Sequence, residues 1–206
     1  MGGIANISIL PPSTPAFGFD TGPANMLMDA WVMANWQSAY DIDGQLAAQG
    51  HVLPDLLAQL LAHPYFRQPF PKSTGRELFA LSWLNTYLHG HEAPADVLRT
   101  LLQLTAQTAV DAIILAAPQT PKVYACGGGV CNPLLMHTLH TLLAKHHIEL
   151  TTTDELDLPA QQVEAAAFAW LAACWLHRKP VPIHTATGAR GARILGCGYW
   201  AIAGLE

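Results

Sequence analysis

Three consecutive glycines, Gly127 to Gly129, form the part of the sequence best suited to hold a ligand. They lie in the run CGGGVCN, Cys126 to Asn132, between a short apolar stretch and a helix-like segment. Glycine lets the backbone approach a ligand closely, and the start of the following helix favours phosphate or a polar heterocycle. Asn132 suits either a helix cap or a ligand contact. A tight strand-to-helix turn has the same sequence pattern, so both interpretations stay open.

Two carboxylates and one polar run are further candidates for binding chemistry. Asp20 and Thr21 precede the Gly22-Pro23 pair, and an aspartate there could hold a magnesium ion through water, bond a ribose, or cap the next helix. Glu164 lies early in an otherwise apolar helix, where it could contact a ligand or complement the helix dipole. Its position in the sequence alone favours the interaction with the dipole. The segment Lys72 to Arg76 could contact an anion or form a polar turn.

The cysteines and histidines near the glycine run do not indicate a metal site. Cys126, Cys131, His137 and His140 are close in sequence, but their spacing fits no standard zinc pattern. Cysteines of this kind more often serve as small buried thiols. We therefore predict no protein-held metal cluster here and two buried thiols that flank the loop.

The composition is apolar and poor in charge. Of 206 residues, 51% are hydrophobic and 12% are charged, and the net charge is −5. A mildly acidic chain lacks the basic footprint of a nucleic-acid-binding protein, and its apolar content argues against disorder. Its most apolar stretches, Val110 to Pro118 and Ala165 to Leu176, are too short to span a bilayer. The low charge suggests that some apolar surface is covered by another molecule.

The chain shows no secretory leader, and its four cysteines are too few and too scattered for a disulfide scaffold. We therefore expect a cytoplasmic protein.

The order of predicted elements indicates an α/β fold. Alternating or apolar runs predict strands at Ile4 to Leu10, Val123 to Cys126 and Ile148 to Thr152, with a fourth proposed at Arg193 to Tyr199. Helical periodicity predicts helices from about Pro23 to Trp36, at Leu53 to Ala62, up to about His89, and at Ala95 to Ala117, Pro133 to His146 and Ala160 to His177. Gly2 and Gly3 are expected to form the turn of a hairpin whose first strand is absent.

Seven segments together resemble the later part of the anhydro-N-acetylmuramic acid kinase family, in the family's order and across nearly the whole chain. They are GGIANISILP, GFDTGPANMLMDAW, YDIDGQLAAQG, PYFRQPFPKSTGRELF, CGGGVCNPLLM, TTDELDLPAQQVEAAAFAWLA and TGARGARILG. The resemblance implies an actin-like ATPase fold: a ribonuclease-H-like α/β lobe with a mixed sheet and flanking helices. Residues 1–206 would form one C-terminal nucleotide-binding lobe, with the N-terminal lobe absent.

The resemblance also implies a reaction that uses ATP and Mg²⁺. The family opens the anhydro ring of 1,6-anhydro-N-acetylmuramic acid with water and phosphorylates O6, which gives N-acetylmuramic acid 6-phosphate in cell-wall recycling. Such chemistry joins phosphoryl transfer to the attack of a water activated by a carboxylate base. The implied partners are a small sugar and the missing lobe, and a homodimer stays open.

Site residues carry over from the family by motif. A phosphate-binding hairpin would contain Gly2, Gly3 and Asn6. An adenosine motif would contain Gly127, Gly128, Gly129 and Asn132. A signature near the nucleotide or its metal would contain Asp20, Thr21 and Gly22. The sugar would lie near Glu164, and Lys72 to Arg76 match a family signature to which physics assigns no role.

The departures from the family pattern limit what this chain is expected to do alone. The first phosphate loop is absent, and the resemblance places the catalytic aspartate before the GGIAN strand, outside this chain. Ala24 stands where the family usually has glycine. We therefore expect little or no kinase activity from the isolated chain.

Three other interpretations stay open. The chain could be an inactive fragment that binds adenine nucleotide weakly, or a separately encoded half that pairs with another. It could also be a related kinase with a different acceptor, against which the Lys72 to Arg76 and Glu164 segments argue.

Overall fold

The computed structural model describes residues 1–182 and 189–199. Four strands are present there: β1 (Ile4–Ile9), β2 (Phe17–Pro23), β3 (Lys122–Ala125) and β4 (Glu149–Thr152). Six α-helices accompany them: α1 (Asn25–Trp36), α2 (Pro54–Leu61), α3 (Leu81–Asn85), α4 (Pro94–Ala116), α5 (Pro133–Ala144) and α6 (Val163–Leu176). The α/β class is confirmed.

The described strands form two small sheets and not one mixed sheet. Strands β1 and β2 pair antiparallel. Strands β3 and β4, which precede and follow α5 along the chain, pair parallel. The sequence did not predict β2, because Gly18, Gly22 and Pro23 in its short run are typical of turns. Its strand conformation comes from pairing with β1, which is a tertiary contact.

Strand β1 forms a hairpin with β2, which follows it after a proline-rich connection. An earlier hairpin that turns at Gly2 and Gly3 stays a prediction. Within the described residues, the two glycines meet the start of α1. The carbonyl of Gly3 accepts hydrogen bonds from the amides of Ala24 (3.1 Å) and Met26 (3.2 Å), and that of Gly2 accepts one from Asn25 (3.2 Å). These carbonyls satisfy amides that have no partner inside the helix.

The long helix α4 forms the centre of the core and positions β2. Its side chains Leu98, Leu101, Leu102 and Leu104 are almost fully buried against α1, α2 and α5. The hydroxyl of Thr105, also on α4, donates to the carbonyl of Pro23 at the end of β2 (3.1 Å). The hairpin end that carries the Asp20 to Gly22 signature is thereby fixed to the core.

Two predictions for other segments need correction. The helix expected to reach about His89 is only α3, which ends at Asn85 where Thr86 bonds back to Trp83 and stops the helix. The strand expected at Arg193 to Tyr199 is absent from the described residues, which show only one antiparallel bridge between Val181 and Arg193. Thr187 and Gly188 of the TGARGARILG segment lie outside the described residues.

In the part of the chain that the structure describes, no helix combines the length and the apolar character needed to cross a bilayer.

Asp29 on α1 is expected to make stability depend on pH. Partial burial raises the pKa of its carboxyl to about 6 from 3.8, so the folded state holds the proton more tightly than the unfolded state. Its contribution to stability therefore falls as pH rises from about 4 to above 6. We expect Asp29→Asn to melt at a higher temperature than wild type at pH 7.5, with a smaller gap at pH 4.5.

Thermal unfolding followed by circular dichroism at both pH values measures this difference. The control is Asp43→Asn, because Asp43 is exposed. If the difference in melting temperature between Asp29→Asn and wild type is the same at both pH values, Asp29 does not titrate as proposed.

Candidate functional site

The glycine loop between β3 and α5 packs against the start of the chain. Gly127 has a left-handed φ of 86°, and its amide donates to the carbonyl of Ala160 (2.8 Å). The amide of Gly129 donates to the carbonyl of Met1 (2.9 Å). A Cβ at Gly127 would lie 2.8 Å from the Met1 carbonyl oxygen, and one at Gly129 would lie 2.9 Å from the Met1 Cβ. These two glycines are required by packing, and they bring the two predicted glycine segments together.

Gly128 and Gly2 differ from these packed glycines because open space adjoins both. Gly128 is exposed, and the nearest atom to a Cβ built there is the Asn25 Nδ2, 3.8 Å away. A Cβ at Gly2 would meet nothing within 4 Å. Nothing in the packing of the described residues explains glycine at these positions. Sequence reasoning missed Asn25 at this place, because no spacing rule links it to a loop about a hundred residues later.

Asn132 closes the loop and caps α5. Its side-chain oxygen accepts a hydrogen bond from the amide of Leu135 (3.1 Å), which confirms the capping interpretation. That oxygen also lies 2.5 Å from where a Cβ on Gly44 would stand. Asn132 therefore fixes the end of the glycine loop relative to the 42–44 turn, and a ligand contact by Asn132 stays a prediction.

Asp20 does not cap α1; it is held by a distant loop. Its Oδ2 accepts hydrogen bonds from the Ser73 hydroxyl (3.0 Å) and the Thr74 amide (2.9 Å). Its backbone amide donates to the Lys72 carbonyl (3.0 Å), and its carbonyl accepts from the Tyr65 hydroxyl (2.7 Å). The Asp20 carboxylate is thus fixed at the hairpin by the polar run whose role the sequence left unassigned.

Lys72 stabilises this loop from inside. Its ammonium donates to the carbonyls of Tyr65 (2.9 Å) and Phe66 (3.1 Å), and it lies 4.6 Å from the centre of the Tyr65 ring. Burial lowers the pKa of Lys72. Burial also raises the pKa of Tyr65, and the nearby charge of Asp20 adds to the effect. Lys72 therefore binds backbone carbonyls of its own loop rather than presenting a free cation to an anion.

Removing the Lys72 ammonium is expected to loosen the loop around Asp20. In Lys72→Met the Phe66 carbonyl loses the Lys72 donor, whereas the Tyr65 carbonyl keeps its hydrogen bond from the Gln68 amide (3.1 Å). A buried group left unpaired costs about 1–3 kcal/mol. We expect a lower free energy of unfolding and faster hydrogen exchange at the amides of Asp20 and Thr74. The matched control is Arg76→Met, since Arg76 is exposed in the same loop. Equal exchange rates in both variants would contradict this role.

Asn6 and Thr21 complete the hairpin around Asp20. Asn6 is the cross-strand partner of Asp20 and is exposed, so both lie on one face of the hairpin. Thr21 is buried, and its hydroxyl donates to the Ala5 carbonyl (3.2 Å) next to the bulge. Asn6 is therefore placed where a bound molecule can reach it, whereas Thr21 serves the hairpin.

Gly22 faces the opposite side of the hairpin, where packing requires it. A Cβ there would lie 2.8 Å from a ring carbon of Phe66 and 3.3 Å from the Thr108 hydroxyl oxygen. Phe66 and Thr108 also line a cavity of about 250 Å³ together with Phe19. The glycine of the Asp-Thr-Gly signature is thus explained by the close approach of Phe66.

Glu164 lies near the glycine loop. It is exposed in the first turn of α6. Burial lowers the pKa of the Met1 amino group, while the charges of Cys126 and Glu164 oppose that change. Glu164 is therefore within electrostatic reach of the Met1 amino group, which donates a hydrogen bond to the Cys126 carbonyl.

The two cysteines of the loop are not the buried pair that the sequence predicted. Cys126 is half-buried, and Cys131 is exposed and accepts a hydrogen bond from the Gln161 amide (2.9 Å). No group of three or more His, Cys, Asp or Glu side chains suited to a metal occurs within residues 1–182 and 189–199. A single carboxylate such as Asp20 suits Mg²⁺, which proteins commonly bind through one or two carboxylates, waters and substrate phosphates.

Comparison with known proteins gives a consistent match along the chain. The family model for anhydro-N-acetylmuramic acid kinase matches residues 1–201. A protein of that name from Neisseria gonorrhoeae (strain ATCC 700825 / FA 1090) is 61% identical over 200 residues, which is 97% of this chain and 54% of the relative. One from Bordetella pertussis is 49% identical over 204 residues, 97% of this chain and 53% of the relative. The chain thus spans about half the length of the curated relatives it matches.

Proposed function

This chain belongs to the anhydro-N-acetylmuramic acid kinase family, and we propose that it is the nucleotide-binding lobe, ribonuclease-H-like in fold, of a kinase for 1,6-anhydro-N-acetylmuramic acid. In the proposed reaction, the oxygen of a water molecule bonds to C1 while the bond between C1 and O6 breaks, and one proton of that water passes to a carboxylate base outside this chain. O6 takes the γ-phosphoryl group of ATP. The products are N-acetylmuramic acid 6-phosphate and ADP.

The observation that carries this proposal is the meeting of three distant segments at one place. The Gly127 to Gly129 loop packs on Met1, next to Gly2 and Gly3, and Glu164 lies within electrostatic reach. Open space adjoins Gly2 and Gly128, which are the positions where a bound nucleotide would need a bare backbone. We assign the adenosine to the Gly127 to Gly129 loop and the phosphates to the Gly2, Gly3 and Asn6 region.

Asp20 and Glu164 have separate proposed roles. Mg²⁺ on the ATP phosphates supplies charge neutralisation during phosphoryl transfer, and Asp20 would hold a water of that ion. Ser73 and Thr74 fix the Asp20 carboxylate for this purpose. Glu164 would bind the sugar beside the glycine loop. The ATP requirement of the proposed reaction supports a cytoplasmic location.

Calorimetric titration of the chain with ATP and Mg²⁺ tests the nucleotide site, and a phosphorylation assay tests the reaction. We expect measurable binding and a rise in melting temperature, but little or no turnover by the isolated chain. Turnover is expected once the chain is combined with the part of a relative that it does not match. Absence of both heat and a thermal shift would overturn the nucleotide site. Phosphorylation of a different sugar only would overturn the proposed substrate.

A further inference from the structure

The side-chain amide of Asn25 borders the open space beside the two glycine segments. Asn25 is the first residue of α1 and is half-buried. Its backbone amide donates to the carbonyl of Gly2 (3.2 Å), and its side-chain nitrogen is the nearest atom to a Cβ built on Gly128, 3.8 Å away. One residue therefore links the two glycines for which packing among the described residues gives no reason.

The first backbone amides of α1 are already bonded. The carbonyl of Gly3 accepts hydrogen bonds from the amides of Ala24 and Met26, and the carbonyl of Gly2 accepts one from Asn25. Amides at the start of a helix often provide the donors that hold an anion, but these three have protein partners. The donors that this end of α1 offers beside the glycine loop are therefore those of the Asn25 side chain and not these backbone amides.

The Asn25 side chain has its hydrogen-bonding capacity available to a ligand. It forms no hydrogen bond with the part of the chain that the structure describes. By contrast, Asn35 on the same helix donates to the carbonyl of Trp31 (2.9 Å), and Asn132 accepts from the amide of Leu135 (3.1 Å). An asparagine side chain carries two N–H donors and one oxygen acceptor. Asn25 can therefore donate to a bound group and accept from it.

Helix capping does not account for asparagine at position 25. Asparagine commonly stabilises a helix from the N-cap position, where its oxygen accepts from the first amides. The N-cap of α1 is Ala24, and no side-chain capping bond is present there. The residue type at position 25 is better explained by a molecule that occupies the open space.

We propose that Asn25 binds the ribose hydroxyls of the nucleotide and selects ribonucleotides over analogues that lack those hydroxyls. The inference rests on the function proposed above, in which the adenosine lies at the Gly127 to Gly129 loop and the phosphates lie near Gly2 and Gly3. The ribose joins the base to the phosphates, and Asn25 lies between the two glycine segments. A ribose hydroxyl both donates and accepts, which matches the donors and the acceptor of a side-chain amide.

Calorimetric titrations of the chain with ATP and with 2′,3′-dideoxy-ATP, both in the presence of Mg²⁺, test this contact. We expect wild type to bind ATP about three- to tenfold more tightly than the dideoxy analogue, the range for the loss of one hydrogen bond. Asn25→Ala should lose this preference, because its affinity for ATP falls to about that for the analogue. The control Asn35→Ala makes the same change at an exposed position of the same helix and should keep the preference.

The remaining outcomes separate the ribose contact from the nucleotide site. Equal affinity of wild type for both nucleotides, or a preference that survives in Asn25→Ala, would overturn the ribose contact and leave the nucleotide site in place. Equal weakening of both nucleotides in Asn25→Ala would move Asn25 to the base or the phosphates and also overturn it. If Asn25→Ala fails to fold, Asn25→Ser gives the same test with a shorter side chain that suits a helix start. Binding of neither nucleotide by wild type would reject the proposed nucleotide site, and the ribose contact with it.

Discussion

Gly128→Leu is expected to abolish binding of ATP and Mg²⁺ while the chain keeps its fold. The position is exposed, and the nearest atom to a Cβ there is 3.8 Å away, so the Cβ of a leucine meets no obstacle in the protein. The leucine would instead occupy the open space that we assign to the adenosine. Calorimetric titration should show an affinity for ATP reduced by at least about tenfold, which is about 1.4 kcal/mol of binding free energy. Circular dichroism should show an unchanged melting temperature.

Two further variants make this result specific. Gly128→Ala adds only one methyl group and should weaken binding less than leucine does. Gly127→Ala should destabilise the fold itself, since the left-handed backbone strains alanine by about 1–3 kcal/mol and the Cβ meets the Met1 backbone. Wild-type affinity in Gly128→Leu would show that the nucleotide binds elsewhere.

Asp20→Asn is expected to reduce the magnesium-dependent part of ATP binding by about 10- to 100-fold, as is usual when a group that orients a metal-bound water is lost. Asparagine keeps a side-chain oxygen that can accept from Ser73 and Thr74, so the loop around position 20 should stay in place. Titrations with ATP in the presence and absence of Mg²⁺ isolate the effect, since ATP without the metal should bind both proteins equally.

The outcome for Asp20 also distinguishes two roles. Asp43→Asn, at an exposed position whose backbone is already left-handed, is the control and should bind like wild type. Turnover is measured with the chain combined with the part of a relative that it does not match. If Asp20→Asn lowers this turnover but leaves magnesium-dependent binding unchanged, the carboxylate acts on the reacting groups and our metal assignment is wrong.

Local sequence signals predicted most elements to within a few residues. The predicted helices, Ala95 to Ala117 and Pro133 to His146, lie close to those observed, Pro94–Ala116 and Pro133–Ala144. A cap was one of two interpretations of Asn132, and its side chain accepts from an amide only three residues further along. Such features depend on neighbours along the chain, which the sequence displays directly.

Strand β2 and the loop that holds Asp20 could not be predicted in the same way. Phe17–Pro23 is a strand because β1 pairs with it, although glycine and proline make its local propensity that of a turn. The partners of Asp20, which are Ser73 and Thr74, lie more than fifty residues away. The sequence marked both segments as polar and chemically suited to binding, but it carried no information on their distance.

The sequence by itself determined the α/β class and the family and marked residues whose side chains suit binding, because these depend on residue type, local spacing and the order of motifs. Only the tertiary structure decided which glycines serve packing and which border open space. It also assigned Lys72 to its own loop and placed Asn25 beside Gly128. The physical reason is that side-chain partners and burial depend on contacts between distant segments, and those contacts exist only once the core around α4 has brought the segments together.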